Sequence, residues 1–318
     1  MLHILVITLP FFALVLCGYL AVRRHILPQL AIPGLNSFVL YFALPCMLYR
    51  FGARTPLSTL LDGGVFITYL LCAVVTVALT LSVTLRRVGW NDAAFGALVA
   101  AFPNTGFMGL PLLLALLGPG SSATVIITMA IDLVITTSVC VALSRLEGQG
   151  RPAHGSLAAL RHALAGMLRN PIPWAILLGG MASGTGLALP GPMDEAVRLL
   201  SDAASPVALF TIGAVLARAQ MQGGPPSPAS QYVPVALIKL LVHPLLMLGI
   251  GHAAIGLGMA LDPGALTALV LVACLPSASN VAMLSERFGA DSGRVARIIL
   301  VSTSLSFLSF SAGVAWLT

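Results

Sequence analysis

The sequence predicts an all-α polytopic membrane protein whose ten transmembrane helices form two inverted five-helix repeats, with the fourth and ninth helices broken and facing one another. Three observations support this prediction. The composition is strongly apolar, the apolar runs fall into two sets of five with the same spacing, and a proline interrupts the fourth run of each set. In a bilayer such breaks survive only where they are buried in protein or line a wet cavity.

The composition excludes an ordinary soluble domain. Of the 318 residues, 58% are hydrophobic and 8% are charged, and the mean hydropathy is +1.01, whereas soluble domains are about one quarter charged. The net charge of +6 does not indicate nucleic-acid binding, because the arginines lie between apolar runs and form no stripe with aromatic residues. The 5 cysteines all lie inside apolar runs without a Cys-x-x-Cys motif, so we interpret them as small apolar side chains.

Ten apolar runs lie close to the roughly 17 to 25 residues that a helix needs to cross a bilayer. The first run is followed, and not preceded, by Arg23 and Arg24, which indicates a retained helix and not a cleaved signal peptide. Between the fifth and sixth runs, the leucine spacing from Leu157 to Arg169 predicts a short surface helix. The runs are residues 2–22, 36–53, 64–85, 92–117, 121–143, 171–189, 201–217, 231–257, 263–287 and 295–317.

The two halves of the chain share a layout, which predicts a repeat. Residues 1–145 form the first five-helix repeat, residues 146–170 a cytoplasmic connecting loop and residues 171–318 the second repeat. Pro276 lies 173 positions after Pro103, and the same offset, added to the start of each early run, falls close to the start of its later counterpart.

Arginine placement predicts the orientation in the membrane. Twelve of the fifteen arginines lie in odd-numbered connections, which the positive-inside rule places in the cytoplasm, with both termini outside. Because each half has an odd number of helices, the second repeat enters from the opposite side, an arrangement found in secondary transporters. The twelve are Arg23, Arg24, Arg86, Arg87, Arg145, Arg151, Arg161, Arg169, Arg218, Arg287, Arg294 and Arg297.

The two interruptions are the predicted site. Phe102-Pro103-Asn104-Thr105-Gly106 and Pro276-Ser277-Ala278-Ser279-Asn280 lie near the centres of the fourth and ninth runs. Proline removes a backbone donor and clashes with the carbonyl four residues earlier, and the helix that restarts after a break presents free N–H groups and a positive dipole end. Two such starts aimed at each other suit an anion such as a carboxylate. The alternative for either break alone is a proline kink capped by its own asparagine.

The predicted substrate-binding side chains are amides and hydroxyls, which donate and accept hydrogen bonds without the cost of placing a charge in lipid. No catalytic residue, metal site or cofactor is predicted. The interrupting prolines are Pro103 and Pro276, and the binding residues are Asn104, Thr105, Gly106, Ser277, Ser279 and Asn280.

Two ionisable residues lie deep in apolar runs, Asp132 in the fifth and Lys239 in the eighth. A lone charge at the bilayer centre costs about 2.5 to 3.5 kcal/mol, so each needs a partner or water. The functional interpretation is a proton-coupling carboxylate and a lysine that balances substrate charge, with His243 on the same helical face as a further candidate. The alternative is a structural ion pair between Asp132 and Lys239, or a lysine that extends to the cytoplasmic side.

Missing motifs exclude several activities. Lys239 is the single lysine, so the chain has no GxxxxGK[ST] nucleotide loop and ATP-driven pumping is not expected. No histidine precedes a glutamate, which excludes a His-Glu-x-x-His zinc site, and no Gly-x-Ser-x-Gly elbow occurs. An enzyme is therefore not expected. The hypotheses are a secondary transporter of a small organic anion working by alternating access, or a channel or membrane receptor for an organic anion on the same fold.

Several segments resemble the auxin efflux carrier family of plants and bacteria, and together they cover nearly the whole chain. The most specific is Asn104-Thr105-Gly106-Phe107-Met108-Gly109-Leu110-Pro111. The others are Asn36-Ser37-Phe38-Val39 leading to Ala43-Leu44-Pro45, then Arg169-Asn170-Pro171, Ser205-Pro206-Val207-Ala208-Leu209-Phe210, and Pro276-Ser277-Ala278-Ser279-Asn280 running into Glu286-Arg287-Phe288-Gly289-Ala290-Asp291.

The resemblance implies a fold similar to bile acid symporters and sodium/proton antiporters, with a scaffold from helices 1, 2, 6 and 7 and a mobile, elevator-type transport domain from helices 3–5 and 8–10. It implies that helices 4 and 9 cross at their prolines, which makes Pro103 and Pro276 the crossover prolines and Asn104 the crossover amide. It implies organic anion substrates such as indole-3-acetate or malonate, a multi-pass location in the inner membrane, and a homodimer that pairs through the scaffold. The pattern from Gly180 to Gly184 fits close helix packing first and that dimer second. Either protons or sodium remain as coupling ions, and Asp132 favours protons.

Overall fold

The computed structural model describes residues 2–146, 171–221 and 228–317. The regular secondary structure of the described residues is helical. Pro103 and Ser277 form an isolated β-bridge within them. The all-α prediction is therefore confirmed for the described part of the chain. The predicted surface helix from Leu157 to Arg169, and nearly all of the predicted connecting loop around it, lie outside the described residues.

The helices follow one another with short connections. A helix named below as a single unit includes any 3₁₀ or π-helical turn that continues it. They are α1 (Leu2–Arg23), α2 (Gln29–Arg54), α3 (Leu57–Leu60), α4 (Gly63–Ala101), α5 (Thr105–Leu117), α6 (Pro119–Leu143), α7 (Pro171–Thr185), α8 (Gly191–Met221), α9 (Ala229–Gly256), α10 (Pro263–Cys274), α11 (Asn280–Arg287) and α12 (Ser292–Leu317).

Six helices within the described residues, namely α2, α4, α6, α8, α9 and α12, are long and apolar enough to cross a membrane. The stretch Leu9–Arg23 of α1, together with α5 and α10, is apolar but shorter. Large apolar side chains such as Leu71, Leu245 and Leu308 are exposed on these helices, as expected where a helix faces lipid and not water. The chain is a multi-pass membrane protein.

Helix α4 turns sharply between two predicted runs, and α8 is longer than its predicted run. The range given for α4 covers two helical segments that meet at Gly89, whose non-helical φ of 76° favours glycine. The third run lies before Gly89, and the first half of the fourth lies after it. Helix α8 begins ten residues before the predicted start at Ser201. Its added turns are charged but exposed, and Arg198 forms ion pairs along the helix with Glu195 and Asp202, at 2.5 Å and 2.7 Å.

The described helices contain four π-helical turns. The sequence analysis did not predict these turns. They occur at Val39–Ala43, Thr105–Gly109, Asp132–Thr136 and Ile238–Val242. Three of them end two residues before a proline, at Pro45, Pro111 and Pro244. A proline ring clashes with the carbonyl one turn earlier, and a wider π-helical turn at that point moves the carbonyl away from the ring.

The chain divides into two units. The first contains α1, α2, α3, α7 and α8, together with Gly106–Ile127, which takes in most of α5 and the start of α6. The second contains α4 from Gly64 onward, Thr105, the remainder of α6, and α9 to α12.

Within the first unit, α1 packs against α8. The two backbones approach most closely at glycines: a Cβ placed on Gly18 would lie 1.8 Å from the carbonyl oxygen of Phe210, and one on Gly213 would lie 1.8 Å from that of Val15. No side chain fits at either position. Glycine at both sites therefore sets the distance between these helices.

Helix α7 packs against α2 in the same unit. A Cβ on Gly179 would lie 2.7 Å from the carbonyl oxygen of Tyr49, and one on Gly52 would lie 3.2 Å from the Cα of Gly179. The Ser183 hydroxyl also donates to the carbonyl oxygen of Thr55 over 2.7 Å. The small residues predicted in the sixth run do lie at a close helix contact, although the closest glycine is Gly179, one residue before the predicted pattern.

Within the second unit, α9 packs against α10 and α12, and α12 also packs against α10 and α11. Every side chain from Ala93 to Ala101 at the end of α4 is buried. Alanine, glycine and valine dominate this stretch, so neighbouring helices can approach it closely.

Arg294 joins several helices of the second unit. The sequence analysis counted it among the residues of a cytoplasmic connection, but it lies in the first turn of α12 and its side chain is 1% exposed. Its guanidinium donates to the carbonyl oxygens of Asp92 and Gln231 over 2.8 Å and 2.9 Å. Asp291 accepts from the Arg294 backbone N–H, and the Asp291 N–H donates to the Asp92 carboxylate. This network fastens α4, just after its turn at Gly89, to the first turns of α9 and α12.

Candidate functional site

Two helices of the second unit stop and restart in mid-run, at the two predicted interruptions. Helix α4 ends at Ala101 and α5 begins at Thr105, while α10 ends at Cys274 and α11 begins at Asn280. The intervening residues are non-helical and almost completely buried. Their backbone polar groups therefore need partners inside the protein.

The two interruptions supply those partners to each other. Pro103 and Ser277 face one another as an antiparallel bridge pair. On one side of the pair, the Asn104 N–H donates to the Pro276 carbonyl oxygen over 2.8 Å, and on the other the Ala278 N–H donates to the Phe102 carbonyl oxygen over 3.0 Å. The prolines, which cannot donate, occupy positions where no N–H is required.

The bridge has a local two-fold arrangement centred on Pro103 and Ser277. The three facing pairs are Phe102 with Ala278, Pro103 with Ser277, and Asn104 with Pro276. The position equivalent to Asn104 is therefore Ala278, and not Asn280. The first break carries an amide where the second carries a methyl group, so the two halves offer different chemistry at the same place.

The first break contributes one buried amide. Asn104 is 4% exposed, and its side chain carries both hydrogen-bond donors and an acceptor. Thr105 is fully buried, and both its N–H and its hydroxyl donate to the Pro103 carbonyl oxygen, at 2.7 Å and 3.3 Å. Gly106 is half-buried, at the start of the segment assigned to the first unit.

The second break contributes one buried hydroxyl. Ser277 is fully buried, its N–H donates to the Ser302 hydroxyl of α12 over 3.2 Å, and its own hydroxyl has no partner among the described residues. The hydroxyl of Thr303 is likewise buried without a partner there. Ser279 and Asn280 are half-buried at the start of α11. The break therefore holds hydrogen-bonding capacity that these protein contacts leave unused.

Asp132 is fully buried in the second unit and has two hydroxyl partners. The Tyr69 hydroxyl donates to one carboxylate oxygen over 2.5 Å, and the Thr136 hydroxyl donates to the other over 3.0 Å. Tyr69 was missed by the sequence analysis because it lies 63 positions from Asp132. The available signal was a single tyrosine in the third apolar run, where a phenol needs a partner.

Lys239 and His243 form a second buried polar pair. Lys239 Nζ lies 2.8 Å from His243 Nδ1 and donates to the Ala273 carbonyl oxygen over 3.1 Å. Ala273 is in the last turn of α10, where backbone carbonyls lack helical partners and the helix dipole favours a positive charge. The shared helical face predicted for Lys239 and His243 therefore brings them into direct contact.

Asp132 and Lys239 do not form a direct ion pair. Each has the separate partners described above, and no ion pair within 4.0 Å joins them among the described residues. Their charges are nevertheless close enough to attract one another. The predicted alternative of a structural ion pair is therefore wrong in its direct form, and neither residue extends to the surface, because both are fully buried.

π-helical turns coincide with the candidate residues. Thr105 and Gly106 begin one such turn, Asp132 begins another, and Lys239 lies in a third. Each turn inserts one extra residue into its helix, which shifts the side chains that follow relative to an ordinary helix. Single π-helical turns are frequent at functional sites in proteins.

A comparison with protein families decides the assignment. The model of a family described as membrane transport protein matches residues 3–312. The chain belongs to this family. The membrane transport protein family is of the auxin efflux carrier type, which confirms the resemblance noted in the sequence.

Relatives in the membrane transport protein family span nearly the same length. A protein of Rhizobium meliloti (strain 1021) named "Putative malonate transporter" is 30% identical over 304 residues, covering 94% of this chain and 91% of the relative. The Escherichia coli (strain K12) uncharacterized transporter YfdV is 24% identical over 291 residues, covering 88% and 87%. An uncharacterized transporter of Methanothermobacter thermautotrophicus is 27% identical over 303 residues, covering 93% and 92%.

Membership in the membrane transport protein family agrees with the absence of enzyme motifs in the sequence, since the family and these relatives are transporters and not enzymes. The segment Asn104 to Pro111, the most specific part of the resemblance, occupies a defined place in the fold. It contains the last residue of the first break, a π-helical turn and the proline that follows it.

Proposed function

We propose that this membrane transport protein is a secondary transporter of a small organic anion, and that it binds the anion where the two interrupted helices meet. The observation that carries the proposal is the exchange of backbone hydrogen bonds between the breaks at Pro103 and Ser277. At this exchange the Asn104 side chain is buried, and the Ser277 hydroxyl is buried without a partner among the described residues. A ligand that satisfies both groups would recover the cost of burying them.

The chemistry of the breaks favours a carboxylate. The binding residues are neutral, and the helices α5 and α11 begin at the breaks, where the positive end of a helix dipole favours a negative charge. These residues are Asn104, Thr105, Gly106, Ser277, Ser279 and Asn280. The second unit also contains a buried lysine, whose positive charge offsets that of an anion. The name of the Rhizobium relative supports malonate as the first substrate to test.

We propose that the architecture is ten transmembrane helices in two inverted repeats, with both termini outside the inner membrane. The scaffold would consist of predicted helices 1, 2, 6 and 7, and the moving transport domain of helices 3–5 and 8–10. Two observations support this division. The four scaffold helices all belong to the first unit, which also takes in Gly106–Ile127, and the local two-fold arrangement of the bridge is what an inverted repeat produces at its axis. A homodimer would pair through the scaffold.

We assign Asp132, Lys239 and His243 to ion coupling and charge balance. All three are fully buried in the same unit as the breaks, and Lys239 contacts the last turn of α10, which leads directly into the second break. Protons are the proposed coupling ion, in preference to sodium, because these side chains take up and release protons.

Binding and transport by the purified protein test the proposal. We expect malonate to raise the thermal unfolding midpoint in detergent. Neutral malonamide should leave the midpoint unchanged, because the proposed site favours a negatively charged ligand. Labelled malonate should enter proteoliposomes, and Asn104→Ala should reduce this uptake at least tenfold. Ser82→Ala, which alters an exposed hydroxyl in the same unit, serves as the control. Undiminished uptake by Asn104→Ala would contradict the binding site.

The same preparation separates a transporter from the two alternatives. A channel would pass the anion with a current far above the turnover of a carrier and without saturation. A membrane receptor would show the thermal shift with malonate and no flux. Saturable uptake at carrier rates supports the proposed transporter.

A further inference from the structure

The imidazole of His243 is held at one nitrogen and free at the other. Nδ1 lies 2.8 Å from Lys239 Nζ, whereas Nε2 is buried and has no hydrogen-bond partner among the described residues. The side chain is fully buried, so bulk water does not satisfy Nε2. A buried ring nitrogen without a partner is costly, and its presence points to a group that arrives during function.

Lys239 determines which proton His243 carries. When Nζ is an ammonium it donates to Nδ1, so the neutral imidazole must hold its proton on Nε2. When Nζ is a neutral amine, its lone pair accepts from an Nδ1 proton, and Nε2 is then a free acceptor. In both states Nζ retains an N–H to donate to the Ala273 carbonyl oxygen. The two states differ by one proton and need no change in the positions of the heavy atoms.

We propose that Lys239 and His243 act as one proton-carrying pair, loaded and unloaded through His243 Nε2, and that the pair takes up a proton when the anion binds. This inference rests on the proposed function. A hydronium ion delivers the proton to Nε2 and leaves as water, the Nδ1 proton moves to the lone pair of Nζ, and the ring is then neutral with its proton on Nε2. The pair has then gained one proton and one positive charge, which offsets one negative charge of the anion.

The groups around the pair are few and mostly neutral. Helix α4 places the thiol of Cys72 3.9 Å from the His243 carbonyl oxygen, and α10 contributes Cys274 close to Lys239. Asp132 of α6, held by Tyr69, is the carboxylate whose charge acts on Lys239. The ionisable side chains of α12 are two arginines in its first two turns. One of them, Arg294, contacts α9 at Gln231, eight residues before Lys239 and thus about 12 Å along the helix.

A structural role for the pair predicts something different. If Lys239 only caps α10 and His243 only supports Lys239, the number of protons bound does not change when the anion binds. The measurable distinction is therefore the number of protons taken up per anion bound, which is independent of any change in affinity or stability.

The experiment is a proton count during malonate binding to the full-length protein in weakly buffered detergent solution near pH 7.5, with a pH dye and a protein-free blank. For the wild type we expect about one proton taken up per malonate bound, because the pair titrates as a unit. His243→Asn, which keeps a polar atom near the Nδ1 position, and His243→Gln, which keeps one near Nε2, should both take up no proton. His252→Asn alters an exposed histidine of the same helix and should match the wild type.

Each result has one meaning. If the wild type binds malonate without taking up a proton, the proposed proton-carrying pair is wrong and the proposed anion site is unaffected. Unchanged proton uptake in either His243 variant that binds malonate also overturns it. Failure of the wild type to bind malonate or any other carboxylate refutes the proposed function and, with it, this inference. If both variants fail to fold, the wild-type count alone decides.

Discussion

The Tyr69 hydroxyl donates a hydrogen bond to Asp132 over 2.5 Å, at a point where both side chains are fully buried in the second unit. With Thr136 bonded to the other carboxylate oxygen, Asp132 is held between α4 and a π-helical turn of α6. The carboxyl is therefore fixed in position within the unit that also holds both breaks, which is a requirement for any role in coupling.

Removing the Tyr69 hydroxyl should destabilise the second unit. Tyr69→Phe leaves one oxygen of a buried carboxyl without its donor, which costs about 1 to 3 kcal/mol. We expect a lower thermal unfolding midpoint in detergent. Tyr41→Phe, which alters an exposed tyrosine, should leave the midpoint unchanged, and an equal midpoint for both variants would show that the hydrogen bond carries no stability.

A methyl group at Gly213 should disrupt the first unit. Gly213→Ala places a Cβ 1.8 Å from the Val15 carbonyl oxygen, so α1 and α8 must move apart, at a cost of about 1 to 3 kcal/mol. We expect a lower yield of monodisperse protein and a lower unfolding midpoint. Gly249→Ala meets no atom within 4 Å and should be neutral or slightly stabilising. A Gly213→Ala variant as stable as the wild type would contradict the close helix approach.

The hydroxyl of Ser302 should matter for binding more than for folding. It accepts from the Ser277 N–H, so Ser302→Ala frees the backbone of the second break from α12. We expect malonate affinity to fall about tenfold, which corresponds to roughly 1.4 kcal/mol. Ser304→Ala alters an exposed hydroxyl two residues away and provides a matched comparison. Isothermal titration of both variants is the measurement, and equal affinities would exclude a role for Ser302.

Arg294 should be needed for the shape of its guanidinium as well as its charge. Arg294→Met leaves the carbonyls of Asp92 and Gln231 without donors, which costs about 1 to 3 kcal/mol for each. Arg294→Lys should recover only part of the loss, because an ammonium on a flexible stem does not reproduce the fork that reaches both carbonyls. Arg86→Gln, at an exposed site, is the control. Full recovery of the unfolding midpoint by lysine would contradict this interpretation.

The breaks were predictable because they follow from a local rule. Pro103 and Pro276 each remove a backbone donor near an amide side chain at the centre of an apolar run, and that combination indicated a break. Proline alone does not end a helix here, since Pro10, Pro206 and Pro234 lie inside α1, α8 and α9. Their pairing across 174 positions, Pro103 with Ser277, was anticipated only as an orientation. The register of the bridge places Asn104 opposite Pro276, and Ala278 is the residue equivalent to Asn104. This register depends on backbone geometry, which the side-chain types do not predict.

The partners of the buried charges were not predictable. Asp132 and Lys239 stood out as charges in apolar runs, but Tyr69 and the Ala273 carbonyl come from distant parts of the chain. The contact of Lys239 with His243 was accessible, since residues four apart share a helical face. The π-helical turns were not predicted. Three of them end two residues before a proline, and that spacing is a signal in the sequence that could have indicated them.

The bridge between the two interrupted helices is formed by main-chain hydrogen bonds. Such hydrogen bonds do not depend on the side chains of the residues that form them, so replacements at Phe102, Ser277 or Ala278 change the side chains at the bridge and keep its two hydrogen bonds. The side chains at the breaks can therefore change while the backbone bridge between the two helices is kept. One backbone arrangement can serve homologues that carry different solutes.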